Sequence, residues 1–395
     1  MRVLSLVISF LLIANLLACK PQQDDFIKTV EFKLTIDDPI SSDDYISIGS
    51  NLNDWDPSNQ SYALTKLTPT TYQLILDIDV SKGNQTIEYK YTIQSFTNDN
   101  PWSKVEKGAN NEEIPNRKLI ITKESLKRTV VLDTVAMFNS ATDKSTVVGH
   151  LDVFKLKMTS LDKERTIRVW MPSSYDKKGS RKYPVLYLQD GQNLFDQYTS
   201  FSGEWGIDES IESLIETLKI DGFIVVGIDN GGVLRMDEYT PNWIDHEDKL
   251  GGLYGEFIVH TLKPFIDDKY LTLKEKEHTL IGGSSMGGLI SFYIGLKYSN
   301  TFGSIMAMSS SFQINTPEAR QHFIRSLDLS VAPKLYLDSG YPGDNSEFID
   351  TVKQELINQG YDESLIYTKK TEGHKHNESA WRARFPEAIK WIFNL

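Results

Sequence analysis

The segment Gly283-Ser284-Ser285-Met286-Gly287 has the G-x-S-x-G pattern of an activated serine. An apolar run, His278-Thr279-Leu280-Ile281-Gly282, precedes it, and Leu289, Ile290, Phe292 and Tyr293 follow at helical spacing. A sharp strand-to-helix turn of this kind lifts a hydroxyl out of the sheet in a strained conformation, and glycines leave it room. Ser285 is therefore the expected nucleophile. The Met286 N–H, at the head of the helix, is an expected oxyanion donor. A serine is a weak nucleophile at neutral pH, so a histidine must take its proton and a carboxylate must orient that histidine. With the chain order Ser, acid, His, only His322, His374 and His376 remain downstream. His374 and His376, in the loop-like segment 371–377, are the rival bases. Asp344, in the loop beyond the apolar strand 334–337, is the first choice of acid, with Glu347 and Asp338 as alternatives.

Those groups meet only if parallel strands alternate with helices. Residues 183–188, 223–228 and 278–282 read as buried central strands, because their apolar runs are continuous. Helices are expected at 207–218, 253–267, 287–298, 347–359 and 386–393, giving an α/β fold with a mostly parallel sheet covered on both faces. The first part of the chain reads differently. Val30-Glu31-Phe32-Lys33-Leu34, Tyr72-Gln73-Leu74-Ile75-Leu76 and Ile87-Glu88-Tyr89-Lys90-Tyr91-Thr92-Ile93 alternate with period two, and turn clusters separate them. That is the pattern of a small all-β sandwich. The expected division is a signal peptide at 1–18, a polar tether at 19–28, the sandwich at 29–134, a linker at 135–148 and the α/β domain at 149–395.

Composition narrows the partners. Across 395 residues, 42 Lys and Arg face 54 Asp and Glu, a net charge of -12 that disfavours a nucleic-acid surface. One cysteine excludes a disulfide framework and a cysteine-built zinc site. The histidines show no metal-ligand spacing, and neither metal nor organic cofactor is expected. The N-terminus carries Arg2, an apolar run from Val3 to Ala18 and then Cys19, the order of a secretory signal. Leu16-Leu17-Ala18-Cys19 resembles a bacterial lipobox, which implies lipidation of Cys19 and a membrane-anchored lipoprotein of the cell envelope, facing the periplasm or the exterior.

Residues 149–395 resemble the esterase family of α/β-hydrolases that includes feruloyl, acetylxylan and siderophore esterases. The similar stretches are 183–196, Gly203-Glu204-Trp205-Gly206-Ile207-Asp208, Arg235-Met236-Asp237-Glu238-Tyr239-Thr240-Pro241, the serine segment, and His376-Asn377-Glu378-Ser379-Ala380-Trp381-Arg382. In that family the catalytic histidine precedes a tryptophan by five positions and an arginine by six, which points to His376 over His374. The resemblance also implies a second oxyanion donor after the glycine of a His-Gly pair. Here that pair is Asp190-Gly191, so the donor is the Gln192 N–H. Arg235 and Tyr239, in a loop on the ligand side of the sheet, and Trp381 are candidate substrate contacts.

The N-terminal sandwich resembles the starch-binding family of carbohydrate-binding modules, through residues 46–50, 53–57, 87–91 and 101–106. The resemblance implies glycan stacking on Trp55 and Trp102. The expected protein is a serine carboxylic ester hydrolase acting on acyl esters of carbohydrate. The alternatives are a siderophore trilactone esterase and a non-catalytic surface lipoprotein that binds glycan.

Overall fold

The computed structural model describes residues 26–53, 55–95, 102, 104–109, 114–138, 145–200, 203–244, 249–314 and 316–395. Cys19 lies outside the described residues. The chain opens with an all-β region. Its strands are β1 (Ile27–Ile36), β2 (Asp44–Ser50), β3 (Thr65–Lys66), β4 (Thr71–Asp79), β5 (Gln85–Ser95), β6 (Glu106–Lys107), β7 (Arg117–Ile121), β8 (Arg128–Val135) and β9 (Met137–Phe138). They form sheets in the orders β3-β4-β1-β8 and β2-β5-β7, with β6 paired to β9. The period-two alternation turns one face of each sheet inward. Val30 and Phe32 of β1, Ile46 and Ile48 of β2, Tyr72 of β4, Tyr89 and Tyr91 of β5 and Ile121 of β7 then share one core.

The second region is an eight-stranded mixed sheet. Its strands are β10 (His150–Met158), β11 (Lys163–Met171), β12 (Val185–Gln189), β13 (Ile224–Ile228), β14 (Thr279–Ser284), β15 (Ser304–Met308), β16 (Lys334–Tyr341) and β17 (Ile366–Glu372), in the order β10-β11-β13-β12-β14-β15-β16-β17. Pairings from β13 to β17 are parallel, while β11 joins both neighbours antiparallel. The helices are α1 (Ile207–Leu218), α2 (Arg235–Glu238), α3 (Gly251–Phe257), α4 (Lys263–Lys269), α5 (Met286–Lys297), α6 (Pro317–Arg325), α7 (Glu347–Asn358) and α8 (Glu378–Phe393), with a π-helical turn, Ile258–Leu262, between α3 and α4. Two apolar cores flank the sheet: α3, α4, α5 and α7 cover one face, and α1 and α8 cover the other. The central strands β12, β13, β14 and β15 are buried on both sides, which is why they read as apolar runs, whereas the edge strand β17 is partly exposed.

The last helix begins at Glu378, eight residues before the expected start at Pro386. Asn377 caps it by accepting the Ala380 N–H at 3.1 Å. A buried stripe of Trp381, Phe385, Ala388, Ile389 and Ile392 then holds the helix through the proline. Helix α6 buries Ile324 beside Arg320, which is paired with Glu355 of α7 at 2.6 Å.

Candidate active site

Ser285 sits between the last residue of β14 and the first of α5, with φ 56° and ψ −126°. This left-handed strain is held from both sides: the Ser285 N–H donates to Met308 O at 2.9 Å, and its carbonyl accepts the Ser311 N–H at 3.1 Å. A Cβ on Gly283 would lie 2.7 Å from the Gly287 carbonyl carbon, so the turn closes only with glycine there. Met286 occupies the first helical position, where a backbone N–H has no intrahelical acceptor. Among the described residues, the Ser285 hydroxyl has Ser311 Oγ as its hydrogen-bond partner, at 3.3 Å.

Two strand ends further along the sheet, the loop after β16 delivers Asp344 with φ 53°. Its Oδ1 is 2.5 Å from His376 Nδ1, and its Oδ2 accepts from Gly340 N–H at 2.5 Å and from Ser309 Oγ at 2.6 Å. Burial alone would raise the Asp344 carboxyl, but its bonds with His376, Ser309 and Gly340 hold it below the ordinary carboxylate range. The edge of the His376 ring meets the Trp381 indole at 5.2 Å and 81°. The short segment 309–311, just past β15, touches both halves of the site, since Ser311 contacts Ser285 and Ser309 contacts Asp344.

The rival groups lie elsewhere. His322 is exposed on α6, and Glu347 is exposed in the first turn of α7. His374 is half-buried, and among the described residues its Nδ1 has no hydrogen-bond partner. Asp338 is fully buried, held by Arg384 Nε at 3.0 Å and Tyr336 Oη at 3.1 Å. Burial, opposed by Arg384, pushes its carboxyl up to about 6.

The loop after β12 carries Gln192 in a 3-10 turn, Gly191–Asn193. Gln192 Oε1 accepts the Asn230 N–H at 3.1 Å, and the Gln192 carbonyl accepts the Thr199 hydroxyl at 2.8 Å. Asp190, at φ 55°, anchors this turn through Arg235 Nε and Nη2 at 2.7 and 2.9 Å and Asn230 Nδ2 at 2.8 Å. Burial opposes the charge on Asp190, but the Arg235 guanidinium keeps its carboxyl below the usual range.

The three expected substrate contacts each have partners within the protein. Arg235 spends its Nε and Nη2 donors on Asp190 and lies over the Tyr239 ring, 4.9 Å from the centroid. Tyr239 is fully buried, with its hydroxyl accepting the Asp190 N–H at 3.1 Å. Trp381 is buried beneath His376, and its Nε1–H goes to Ser309 Oγ at 2.9 Å. In the sandwich, Trp55 and Trp102 are both half-buried, their rings 6.4 Å apart and inclined at 41°, with Trp102 seated over Gly49.

Sequence reasoning missed Glu378, two residues past His376. It is buried at the head of α8, and Asn193 Nδ2 lies 3.4 Å from its Oε1. Burial pushes its carboxyl up to about 8, against the pull of the Lys90 ammonium of β5. Among the described residues, one carboxylate cluster has the compactness of a metal site: Glu204, Asp208 and Glu209, whose ligand atoms lie within 4.8 Å of one another. Arg382 faces Glu209 at 3.5 Å, and burial pushes the Asp208 carboxyl up to about 8, so a guanidinium and a proton offset part of the cluster's charge.

A mostly parallel sheet with a strained serine at the β14–α5 turn and a carboxylate–histidine pair on later loops is the α/β-hydrolase arrangement. The Esterase family model matches residues 158–392, more than half of the chain, and the chain belongs to that family. It is a serine carboxylic ester hydrolase. It is 26% identical over 244 residues to the uncharacterised protein YbbA of Bacillus subtilis, covering 58% of this chain and 92% of that one. It is 31% identical over 258 residues to an endo-1,4-beta-xylanase/feruloyl esterase of Xylanibacter ruminicola, covering 62% of this chain but 31% of that longer protein. The enterobactin esterase of Shigella flexneri has a similar fold, with a TM-score of 0.51 over 93% of this chain and 94% of that one, at 12% identity.

Proposed function

We propose that the chain hydrolyses acyl esters of carbohydrate through a covalent acyl-enzyme formed on Ser285. The observation that carries this reading is the 2.5 Å bond between His376 Nδ1 and Asp344 Oδ1, which leaves Nε2 as the basic nitrogen. On substrate binding the Ser285 hydroxyl turns from Ser311 to His376 Nε2, since catalytic hydrogen bonds tighten in the Michaelis complex. Ser285 Oγ attacks the ester carbonyl while His376 takes its proton, and the Met286 and Gln192 N–H groups receive the oxyanion. His376 then protonates the departing alcohol. Water, activated by the same histidine, attacks the acyl carbon and releases Ser285. Asp344 stays ionised throughout and stabilises the imidazolium. No step calls for a metal or organic cofactor.

A carbohydrate ester is favoured because the 31% identical relative is a xylanase joined to a feruloyl esterase. We extend the reading to the sandwich as a glycan-contacting module through Trp55 and Trp102, and to Cys19 as a lipid anchor in the bacterial envelope. A second reading, a siderophore trilactone as substrate, draws on the likeness in shape to the enterobactin esterase over 93% of the chain. Hydrolysis of p-nitrophenyl acetate by protein with and without Ser285→Ala tests the chemistry. Acylated xylo-oligosaccharides and a catecholate trilactone, compared by kcat/KM, separate the two substrates. Equal and negligible turnover by the wild type and the variant defeats both readings and leaves a glycan-binding protein.

A further inference from the structure

We propose that Ser309 and Arg384 are positioning residues that fix the Asp344 carboxylate, ionised and aimed at His376. This rests on the triad reading and assigns work to side chains that reading does not use. Ser309 follows β15, is fully buried and holds φ 44°. A hydroxyl has one proton to give and two lone pairs to fill. Both lone pairs are taken, by Trp381 Nε1–H at 2.9 Å and Arg384 Nη2–H at 2.8 Å. The Ser309 proton is therefore directed to Asp344 Oδ2, 2.6 Å away. Gly340 N–H donates to the same oxygen at 2.5 Å, so Oδ2 is filled and Oδ1 is left for His376 Nδ1.

Arg384 supplies the charge behind this chain. Its side chain is 2% exposed, with Nε on Asp338 at 3.0 Å and Nη2 3.9 Å from Asp344 Oδ2. Asp338, the sequence's alternative acid, is thus the anion that makes it affordable to bury Arg384. The order Asp338, Arg384, Ser309, Asp344, His376 links five side chains across β16, α8 and the loops after β15, β16 and β17. The other titratable groups around it are Tyr336, bonded to Asp338, and His374, Lys375 and Glu378, which flank His376 in sequence.

The sign of the effect on His376 follows from charge distribution. Donors on Oδ2 spread the Asp344 charge away from Oδ1. Removing one concentrates charge at Oδ1, raises the basicity of His376 and moves the acid limb of kcat/KM to higher pH. The test is the pH profile of p-nitrophenyl acetate hydrolysis for the wild type, Ser309→Gly, Ser309→Ala and Ser285→Ala. Glycine accepts φ 44° without strain and alanine does not, so an effect shared by both belongs to the hydroxyl. The expected result is an acid limb moved upward in both Ser309 variants, with kcat reduced about tenfold and KM unchanged.

The double variant Asp338→Asn with Arg384→Met, which removes the buried ion pair as a unit, is expected to move the limb the same way. The proposal is overturned if the limb stays in place in Ser309→Gly, or moves in Ser309→Ala alone. If Ser285→Ala is fully active or the wild type is inert, the triad reading itself has failed. Ser285-dependent activity with coincident limbs overturns only the positioning role.

Discussion

Replacing Asp190 by Asn probes how the loop that carries Gln192 is held. Asparagine tolerates φ 55° and keeps the size and one acceptor oxygen of aspartate, so the backbone has no reason of its own to move. What is lost is a carboxylate that receives Arg235 twice, at 2.7 and 2.9 Å, and Asn230 at 2.8 Å. The new amide N–H2 confronts the guanidinium donors. Breaking a fully buried ion pair from one side costs about 3–5 kcal/mol. Arg235 keeps 26% of its side chain exposed, and water recovers part of that loss, leaving about 2–3 kcal/mol. A full oxyanion donor is worth about 100- to 1000-fold in kcat. A loosened one is expected to cost about 10- to 100-fold, with little change in KM. Urea unfolding and p-nitrophenyl acetate kinetics on Asp190→Asn, Arg235→Gln and the double variant complete a cycle, with an expected coupling above about 1 kcal/mol. An unchanged unfolding midpoint together with kcat within about twofold of wild type would refute the ion pair as the anchor of the loop.

Gly191→Ala is expected to be more damaging than its size suggests, because the new Cβ would lie 2.6 Å from the Gly227 carbonyl carbon and 2.7 Å from the Ile228 nitrogen. Both are sheet backbone, so the 3-10 turn must move, and kcat should fall by at least about tenfold in whatever protein remains folded. Asp208 titrates near 8 in the folded chain because of burial, far above the unfolded value of about 4. Between those two values the unfolded state is ionised while the folded state holds its proton, so folding stability drops as pH rises through that window. Asp208→Asn should remove the drop, raising the melting temperature at pH 9 relative to wild type but not at pH 4; parallel melting curves would contradict this. Glu355→Gln removes the carboxylate that pairs with Arg320, which is 1% exposed. It should lose about 3–5 kcal/mol by urea unfolding while the folded fraction keeps its kcat/KM.

The parts of the site that were legible in the sequence depend on local chemistry. A glycine-flanked serine between an apolar strand and a helical stripe announces its own backbone geometry, an aspartate in a loop after a strand pattern announces its side of the sheet, and the spacing of Trp381 and Arg382 in the family resemblance singles out His376. The structure brings Asp344 and His376 together, and sets Asp338 and Glu347 apart from them. What stayed hidden depends on contacts between distant residues. Ser309 acquires its place from Arg384 and Trp381, 75 and 72 positions away. Its strand, Ser304–Met308, is only five residues long and carries no period to read. Pro386 resembled a helix start because proline suits the first turn, but a cap at Asn377 and the buried stripe of α8 outweigh one missing hydrogen bond. Arg235 and Tyr239 stand on the ligand side of the sheet, and their bonds to Asp190, 45 and 49 positions away, have no signature in the sequence.

The most direct test of the account is the site of covalent labelling. A fluorophosphonate ester forms a stable adduct with an activated serine, and digestion followed by mass spectrometry locates it. The account requires one adduct per chain, on Ser285, absent in Ser285→Ala and formed far more slowly in His376→Ala. Ester hydrolysis that persists with Ser285 unlabelled, or an adduct on Ser311 or any other residue, would contradict it.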